Sequence, residues 1–422
     1  MKKSGVKKIY LDYAATTPID RRVFAAMRPY FEAKFGNPGS LHSFGQEAMA
    51  AVDKAREGIA KAIGADFREI IFTGSATEAN NLALRGVLNR FNNSDLRTRN
   101  SFVPRIIVSS IEHDSVLETA RELEKEGVEV VYLPVLKNGI VDLKKFKEAL
   151  NERTVLVSVM QANNETGVVQ PIREISELIS EFRLKNFELG QNLSFPLFHT
   201  DAVQAFQFLD CGVNGLGVDL MTLSAHKIYG PKGVGALYIN SKSKFLIYKQ
   251  IQISKNSNKR LIEPMIFGGG QEFGMRSGTE NVPVIVGFHK AVELIEVNKE
   301  KEAQRIRGLK KKLWDGILKI YPDAKINGVE AEKKVLPNIL NVYFPNYLAE
   351  EIMVGLDLGG VAVSSGSACS SRSAKASHVL RAMGCGEGRL KRSVRFSLGR
   401  PTSWDEIKKV LGILGGILRR LD

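Results

Sequence analysis

The chain has 422 residues, of which 44% are hydrophobic and 25% charged, a composition typical of a soluble globular protein with more than one domain. Its cysteines, Cys211, Cys369 and Cys385, show none of the paired spacings of disulfide frameworks or structural zinc sites, which favours a reducing compartment and no bound metal. The net charge is +14, but the basic residues are scattered. We therefore interpret it as a basic surface, which could attract acidic proteins, rather than as a nucleic-acid-binding patch.

The first predicted strand-and-helix pattern follows a short basic segment at the amino terminus. This segment lacks the apolar run of a secretory signal. The chain also contains no stretch of about 18 apolar residues that would predict a membrane span. We therefore expect a cytoplasmic protein.

Short apolar runs then alternate with amphipathic segments up to about residue 240. Helical patterns lie between the runs, for example at about 114–126 and near 142–151. Buried β-branched strands separated by helices predict an α/β fold with a mostly parallel sheet between two layers of helices. We assign this pattern to a large domain spanning residues 16–265. The predicted strands are 69–74, 105–110, 128–135, 154–160, 196–200, 218–224 and 233–239.

The pattern changes in the last third of the chain. A glycine-rich segment at 267–281 precedes a predicted long helix from about 282 to 312. Mixed elements follow and predict a smaller α+β domain, to which we assign residues 1–15 and 266–422. These elements are a strand at 339–344, a helix at 348–358, a strand at 393–399 and a terminal amphipathic helix at 406–420.

Small, polar and titratable residues follow five of the predicted strands. In chain order the segments read TGSATE, SSIEHDS, QANNETG, HTDAVQ and SAHKIYG. In parallel α/β sheets, ligands bind beyond the carboxyl ends of the strands. The recurrence therefore predicts a binding site at this edge of the sheet.

Lys227 is the leading candidate at that edge. A lysine that is desolvated by packing can lose its proton and attack carbonyl groups, and pyridoxal 5′-phosphate (PLP) enzymes need such an amine. They also need a carboxylate at the pyridinium nitrogen, for which Asp201 is the candidate, although an aspartate there could simply cap a helix. Gln204 lies one helical turn further on. His113 could stack on a flat ring, move a proton, or be structural.

The segment TGSATE offers donors for a phosphate group. Ser75, Ala76 and Thr77 stand where a helix is predicted to begin, and the N–H groups of a helix N-terminus suit a phosphate. A plain capping segment is the alternative. The P-loop and GxGxxG patterns are not matched elsewhere in the chain. Asn163 and Asn164 could be further site residues or ordinary turn residues.

Cys369 stands in the segment SSGSACSS, residues 364–371, whose small side chains cannot anchor a core. Glycine and serine make such a segment flexible, and the thiolate is the reactive form of cysteine. We therefore predict an accessible, reactive thiol at Cys369. Cys211 and Cys385 are expected to be packing residues.

An ordered series of motifs carries a family resemblance. The motifs are YLDYAATTP, FGNPGSLHSFG, FTGSATEANN, EHDSV, NNETG, HTDAVQA, SAHKIYGPKGVGALY, GGGQEFGMRSGTEN, SSGSACSS and VRFSLGR. With these motifs the chain resembles the PLP-dependent cysteine desulfurases of the Isc and Nif type, which are fold-type I enzymes of the class V aminotransferase-like group. The spacing from Cys369 to Arg395 resembles the long-loop branch of that family.

The resemblance implies how the cofactor ring is held. Lys227 would carry PLP as a Schiff base, and His113 would stack on the ring. Asp201 would pair with the ring nitrogen. Gln204 and Asn163 would approach the ring hydroxyl.

The resemblance also implies the contacts of the phosphate and the substrate. Asn37 and Arg395 would hold the substrate carboxylate, and Cys369 would take the sulfur. The phosphate would be held by Ser75, Ala76, Thr77, Ser224, His226 and, in a homodimer, Thr279 of the partner subunit.

The implied activity converts L-cysteine to L-alanine and leaves a persulfide on Cys369. His113 is a candidate acceptor for the thiol proton. The persulfide would pass to an acceptor protein of iron–sulfur cluster assembly or tRNA thiolation. Two alternatives stay open: another fold-type I PLP enzyme, such as a selenocysteine lyase or an aminotransferase, and a non-enzymatic nucleic-acid or scaffold protein. An aminotransferase needs no reactive thiol, which favours the desulfurase.

Overall fold

The computed structural model describes residues 8–92, 103–188, 195–241, 260–329, 334–365 and 376–421. Cys369 lies outside these ranges. The strands within them are β1 Ile9–Tyr10, β2 Ile70–Thr73, β3 Arg105–Ser109, β4 Glu129–Leu133, β5 Thr154–Ser158, β6 Leu197–Asp201, β7 Leu220–Ser224, β8 Gly235–Ile239, β9 Lys325–Ile326, β10 Ile339–Tyr343, β11 Val361–Ala362 and β12 Ser393–Ser397. The α-helices within them are α1 Arg21–Met27, α2 Pro29–Glu32, α3 Ser43–Ala62, α4 Ala76–Asn92, α5 Asp114–Lys125, α6 Leu143–Ala149, α7 Ile172–Glu188, α8 Val213–Leu216, α9 Val282–Glu296, α10 Lys299–Ile320, α11 Ala349–Leu358, α12 His378–Ala382, α13 Glu387–Leu390 and α14 Trp404–Leu421.

Seven strands form one sheet in the order β2-β8-β7-β6-β5-β3-β4. Strand β8 runs antiparallel to both neighbours, and the other neighbouring strands of this sheet are parallel. Every residue of β5, β6 and β7 is buried. Such runs form when helices cover both faces of a sheet. The predicted α/β fold with a mostly parallel sheet is therefore confirmed.

The two faces of the sheet support separate apolar cores. Within β3, Ile107 packs into one core, whereas Ile106 and Val108 pack into the other. This alternation follows from the two-residue period of a strand. Helices α3, α6 and α9 contribute to the first core, and α4 and α5 contribute to the second.

A third core belongs to the smaller α+β part of the fold. Strands β9, β10 and β12 form an antiparallel sheet, and β1 pairs with β11 in parallel. Apolar residues of α10, α11 and α14 pack against these strands. Residues Ile9 and Leu11 from the amino terminus join the same core.

The long helix expected from 282 to 312 is two helices, α9 and α10. They are separated at Val297 and Asn298, and Asn298 has a non-helical backbone (φ −134°, ψ 17°). The chain passes from one core to the other soon after this point: Phe288 of α9 and Ala303 near the start of α10 are buried in the large core, and Leu313 of α10 is buried in the small one. Helix α9 thus packs with the larger part of the fold, although the sequence assigned residues 266–422 to the smaller domain. The rest of the predicted domain boundaries stay a prediction.

The helices of the described ranges include none that is both long and apolar enough to cross a membrane.

Candidate active site

Lys227 lies in a 3₁₀ turn, Ala225–Lys227, that directly follows β7. Its Nζ atom donates to the carbonyl oxygens of Ala14 and Ala15, each at 2.7 Å. Nε2 of Gln204 donates to the same oxygen of Ala14 at 3.0 Å. Two side chains that the sequence predicted to share a site therefore meet on one backbone carbonyl.

Asp201 ends β6, next to β7 in the sheet, and is buried. Its Oδ1 accepts a hydrogen bond from the backbone N–H of Val203 at 2.9 Å. Its Oδ2 accepts one from Nδ2 of Asn80 at 2.9 Å. The carboxylate thus caps a turn, whereas the structural alternative expected it to cap a helix. Its other oxygen joins a buried polar network.

The same network reaches His113. Nδ2 of Asn80 also donates to Oγ of Ser115 at 2.8 Å, and Oγ of Ser115 lies 2.9 Å from Nδ1 of His113. Sequence reasoning missed Asn80 and Ser115. The signal for Asn80 was a polar residue on the helix face that also carries Ala83 and Leu84, both buried.

Glu112 is a third residue that the sequence did not single out. It is completely buried, and Oε1 accepts a hydrogen bond from the backbone N–H of Met160 at 2.6 Å. Burial raises the pKa of Glu112 well above its usual range, and the nearby Asp201 carboxylate acts in the same direction. Burial therefore favours the protonated form of Glu112, which adds no second negative charge beside Asp201.

The segment before α4 forms a narrow cradle. Gly235 of β8 lies so close that a Cβ on it would come within 2.7 Å of the carbonyl carbon of Ser75 and 2.8 Å of the nitrogen of Ala76. Ser224 is the partner of Gly235 in the sheet. Its Oγ is buried with no hydrogen-bond partner among the described residues. Thr77 is exposed at the same helix start.

This cradle fits a phosphate group. A buried hydroxyl without a partner is costly, and phosphate oxygens would accept from Ser224 and from the N–H groups of a helix N-terminus. His226 lies two residues beyond Ser224, with Nδ1 3.1 Å from Oγ1 of Thr16. Desolvation, followed by the charges of Lys227 and Lys232, lowers the pKa of His226 to about 4. His226 is therefore neutral near pH 7 and would act there through hydrogen bonds.

Arg395 lies in β12 and is 3% exposed. One terminal nitrogen of its guanidinium donates to the carbonyl of Asn164 at 2.9 Å, and the other donates to Oδ1 of Asp12 at 2.8 Å. Nε has no partner among the described residues. Asn37 is exposed and uses Oδ1 to accept from the N–H of Gly39 at 2.9 Å. No hydrogen bond within the described ranges joins Asn37 to Arg395.

The side chain of Asn163 forms hydrogen bonds with the backbone of its own loop. Oδ1 accepts from the backbone N–H groups of Glu165 and Thr166, both at 2.9 Å. Nδ2 donates to the carbonyl of Ile111 at 3.0 Å. This arrangement favours the turn interpretation, and a contact between Asn163 and a cofactor stays a prediction.

One expected site residue, Thr279, makes no contact with the cradle within the described ranges and is exposed in the glycine-rich segment. Cys369 lies beyond the part of the chain that the structure describes, but Ser364, five residues before it, lies next to Arg395. The backbones of Ser364 and Arg395 exchange two hydrogen bonds, at 3.2 and 2.7 Å.

The chain is similar to known proteins in both sequence and fold. The family described as aminotransferase class-V matches residues 9–410. The cysteine desulfurase IscS of Dictyoglomus turgidum is 43% identical over 98% of this chain and 95% of its own length. A solved NifS-like protein is 35% identical with a TM-score of 0.83, covering 98% of this chain and 100% of its own. The structure named "SspA in complex with cysteine" is 34% identical with a TM-score of 0.73, covering 92% and 98% of the two chains.

The match extends over nearly the whole chain, in both sequence and fold. The resemblance that was read from short motifs is therefore confirmed at full length. The chain belongs to the class V aminotransferase family and, within it, to the cysteine desulfurases of the IscS and NifS type.

Proposed function

We propose that this protein is a PLP-dependent cysteine desulfurase that converts L-cysteine to L-alanine and transfers the sulfur to Cys369. The relatives named above support the activity, and the cradle and the Lys227 turn support the cofactor. The observation that carries the proposal is the meeting of Lys227 and Gln204 on the carbonyl of Ala14, at the end of the sheet where β6 delivers Asp201.

The chain offers a donor or acceptor for each part of PLP. Lys227 would hold it covalently, Asp201 would pair with the ring nitrogen, and His113 would stack on the ring. Bound PLP supplies an electron sink that makes the Cα proton of the substrate acidic. The phosphate would be bound by Ser75, Ala76, Thr77, Ser224 and His226. Gln204 and Asn163 would lie near the ring hydroxyl.

The remaining steps belong to side chains of the protein. Arg395 and Asn37 would bind the substrate carboxylate. Once the substrate amine has replaced Lys227 on the cofactor, the freed Nζ of Lys227 would remove the Cα proton as a neutral amine. The thiolate of Cys369 attacks the substrate sulfur, so that an S–S bond forms and the C–S bond breaks. The former cysteine takes up a proton at Cβ and leaves as alanine. The persulfide on Cys369 carries the sulfur, and no external oxidant is needed.

Purified protein with PLP and L-cysteine tests the proposal. We expect visible absorption from bound cofactor, release of alanine, and release of sulfide when a thiol reductant is present. Cys369→Ser should keep the absorption and lose the sulfide, whereas Lys227→Ala should lose the lysine-linked absorption. Sulfide production at the normal rate by Cys369→Ser would refute the persulfide step.

We also propose that the enzyme is a homodimer in which Thr279 completes the partner's phosphate site. The glycine-rich segment around Thr279 exposes large apolar side chains, including Phe267 at 80% and Phe273 at 45%. Exposed apolar patches of this kind are typical of subunit interfaces. Light scattering should give twice the chain mass, and Thr279→Val should weaken PLP retention without dissociating the dimer. A monomer that retains full PLP affinity would contradict this proposal.

The sulfur acceptor is proposed to be a protein of iron–sulfur cluster assembly or of tRNA thiolation in the cytoplasm. The IscS relatives favour the first. The alternatives, a selenocysteine lyase, an aminotransferase and a nucleic-acid-binding scaffold, are not favoured by the comparisons. Transfer of ³⁵S from the Cys369 persulfide to candidate acceptors would identify the recipient. A chain that retarded DNA at moderate salt and bound no PLP would instead support the scaffold.

A further inference from the structure

Two buried residues, Asn80 and Ser115, connect Asp201 to His113. Asn80 is 0% exposed and Ser115 9% exposed. One nitrogen of Asn80 donates to Oδ2 of Asp201 at 2.9 Å and to Oγ of Ser115 at 2.8 Å, and that hydroxyl lies 2.9 Å from Nδ1 of His113. The residue expected at the ring nitrogen and the residue expected on the ring face are thus linked through three consecutive hydrogen bonds.

The carboxylate at one end fixes the direction of these hydrogen bonds. An ionised carboxylate only accepts, so the amide of Asn80 must present Nδ2 to Asp201. The second N–H of that nitrogen donates to Oγ of Ser115, which leaves the hydroxyl proton of Ser115 for Nδ1 of His113. The opposite amide orientation would place Oδ1 against the carboxylate. The observed orientation leaves Oδ1 of Asn80 buried with no partner in the described ranges.

A second donor acts on the same ring nitrogen. His113 caps α5, and the backbone N–H of Ser115 donates to Nδ1 at 3.1 Å. A backbone N–H cannot act as an acceptor. Because Nδ1 accepts from this group and from the Ser115 hydroxyl, it carries no proton, and the proton of the neutral imidazole lies on Nε2.

We propose that Asn80 and Ser115 are positioning residues that hold His113 as its Nε2–H tautomer and tie its orientation to Asp201. The catalytic meaning of this arrangement rests on the proposed function, in which His113 and Asp201 contact the cofactor ring. A neutral histidine with its proton on Nε2 donates there and does not accept. In this form His113 is not the acceptor for the Cys369 thiol proton, contrary to the expectation from sequence.

The tautomer can be measured directly. The chain contains six histidines, so selective ¹⁵N-histidine labelling of the full-length protein gives few signals, and His113→Gln assigns the relevant one. With and without PLP, we expect the wild type to carry the proton on Nε2. Asn80→Ala should shift the Nδ1 resonance in the direction of a lost hydrogen bond. A proton on Nδ1 in the wild type, or an unchanged Nδ1 resonance in Asn80→Ala, would overturn the proposal.

Two variants of matched shape at Ser115 separate the effect of the hydroxyl group from the effect of packing. Threonine and valine have nearly the same shape, but only threonine retains the hydroxyl. In the PLP-loaded enzyme, Ser115→Val should lower kcat for L-cysteine about tenfold, with KM within about twofold of the wild type, because one buried hydrogen bond is lost. Ser115→Thr should restore kcat and the Nδ1 resonance.

Equal kcat losses in the two Ser115 variants would refute a role for the hydroxyl. The proposed function is tested separately by alanine release from the wild type. If the wild type releases no alanine, the desulfurase proposal fails, whereas the histidine spectrum still decides the tautomer. If alanine is released and the spectrum shows Nδ1–H, only the positioning proposal fails.

Discussion

Arg276 and Glu78 form an ion pair that joins the glycine-rich segment to the first turn of α4. Nε of Arg276 lies 2.9 Å from Oε1 of Glu78, although the two residues are 198 positions apart in the sequence. The other oxygen of Glu78 accepts from the N–H of Gly74 at 2.9 Å. The pair therefore neutralises a carboxylate beside the cradle proposed to bind a phosphate.

We predict that Arg276→Gln weakens PLP binding about five- to tenfold, because an uncompensated carboxylate then repels the phosphate across a partly solvated site. Glu78→Gln alone should bind PLP at least as tightly as the wild type. Adding Glu78→Gln to Arg276→Gln should restore most of the affinity. Equilibrium dialysis of PLP measures all four proteins. A double variant as weak as Arg276→Gln alone would show that charge is not the cause.

Arg56 and Glu272 form a bidentate ion pair under the same segment, with N–O distances of 2.6 and 2.9 Å. Their side chains are 5% and 2% exposed. We predict that Arg56→Met lowers the free energy of unfolding by about 3–5 kcal/mol, because it leaves the Glu272 carboxylate buried without a counter-ion. Urea unfolding measures the change. Arg28→Met, in an exposed pair with Glu32, is the control and should change it by less than about 0.5 kcal/mol.

His199 makes stability depend on pH. It is completely buried between Ser158 and Thr222, and desolvation lowers its pKa from 6.5 to about 3. The unfolded state therefore takes up a proton first as the pH falls. The stability that neutral His199 contributes is present above about pH 6.5 and is lost towards pH 3, at about 1.4 kcal/mol per pH unit.

Urea unfolding of the wild type and of His199→Asn at several pH values tests this prediction. The advantage of the wild type in unfolding free energy should shrink as the pH is lowered from 7 to about 5. A difference between the two proteins that does not change with pH would contradict the prediction.

Arg395 should determine the KM for L-cysteine. Its fork already donates to Asp12 and Asn164, so it is held in one orientation. Lysine retains the charge but cannot reproduce the fork. We predict that Arg395→Lys lowers kcat/KM roughly 10- to 100-fold, mainly through KM, as expected for lost charge-assisted hydrogen bonds. Arg392→Lys, just before the same strand, is the control. An unchanged KM in Arg395→Lys would place the carboxylate elsewhere.

The sheet could be predicted from sequence because short apolar runs such as those of β5 and β7 are buried on both faces. The boundary between α9 and α10 could not, because the apolar pattern continues across Val297 while most of α10 packs into a different core from α9. The Lys227 turn was visible in its motif. The contacts of Lys227 with Ala14 and Ala15 were not, since they join positions more than 200 residues apart.

The network around Asp201 shows a second limit of sequence. The sequence shows Asn80 as a polar residue on an otherwise apolar helix face. It does not show the hydrogen-bond partners of Asn80, which come from a different helix and from a strand. Ser224 could be predicted only through the family resemblance. In the structure, Ser224 stands out because its buried hydroxyl has no hydrogen-bond partner among the described residues. That burial depends on how β7 and β8 pack against α4.

The backbone bridge between Ser364 and Arg395 limits the reach of Cys369, the proposed sulfur carrier. Cys369 follows Ser364 by five residues, and five fully extended residues span at most about 18 Å. The Cα atom of Cys369 can therefore lie no further than about 18 Å from that of Ser364, which pairs with the arginine proposed to bind the substrate. If Cys369 carries the sulfur as proposed, an acceptor must bring its own nucleophile into this range. We expect the acceptor to be selected by how deeply it can enter the mouth of the site, and not only by its affinity for the surface around it.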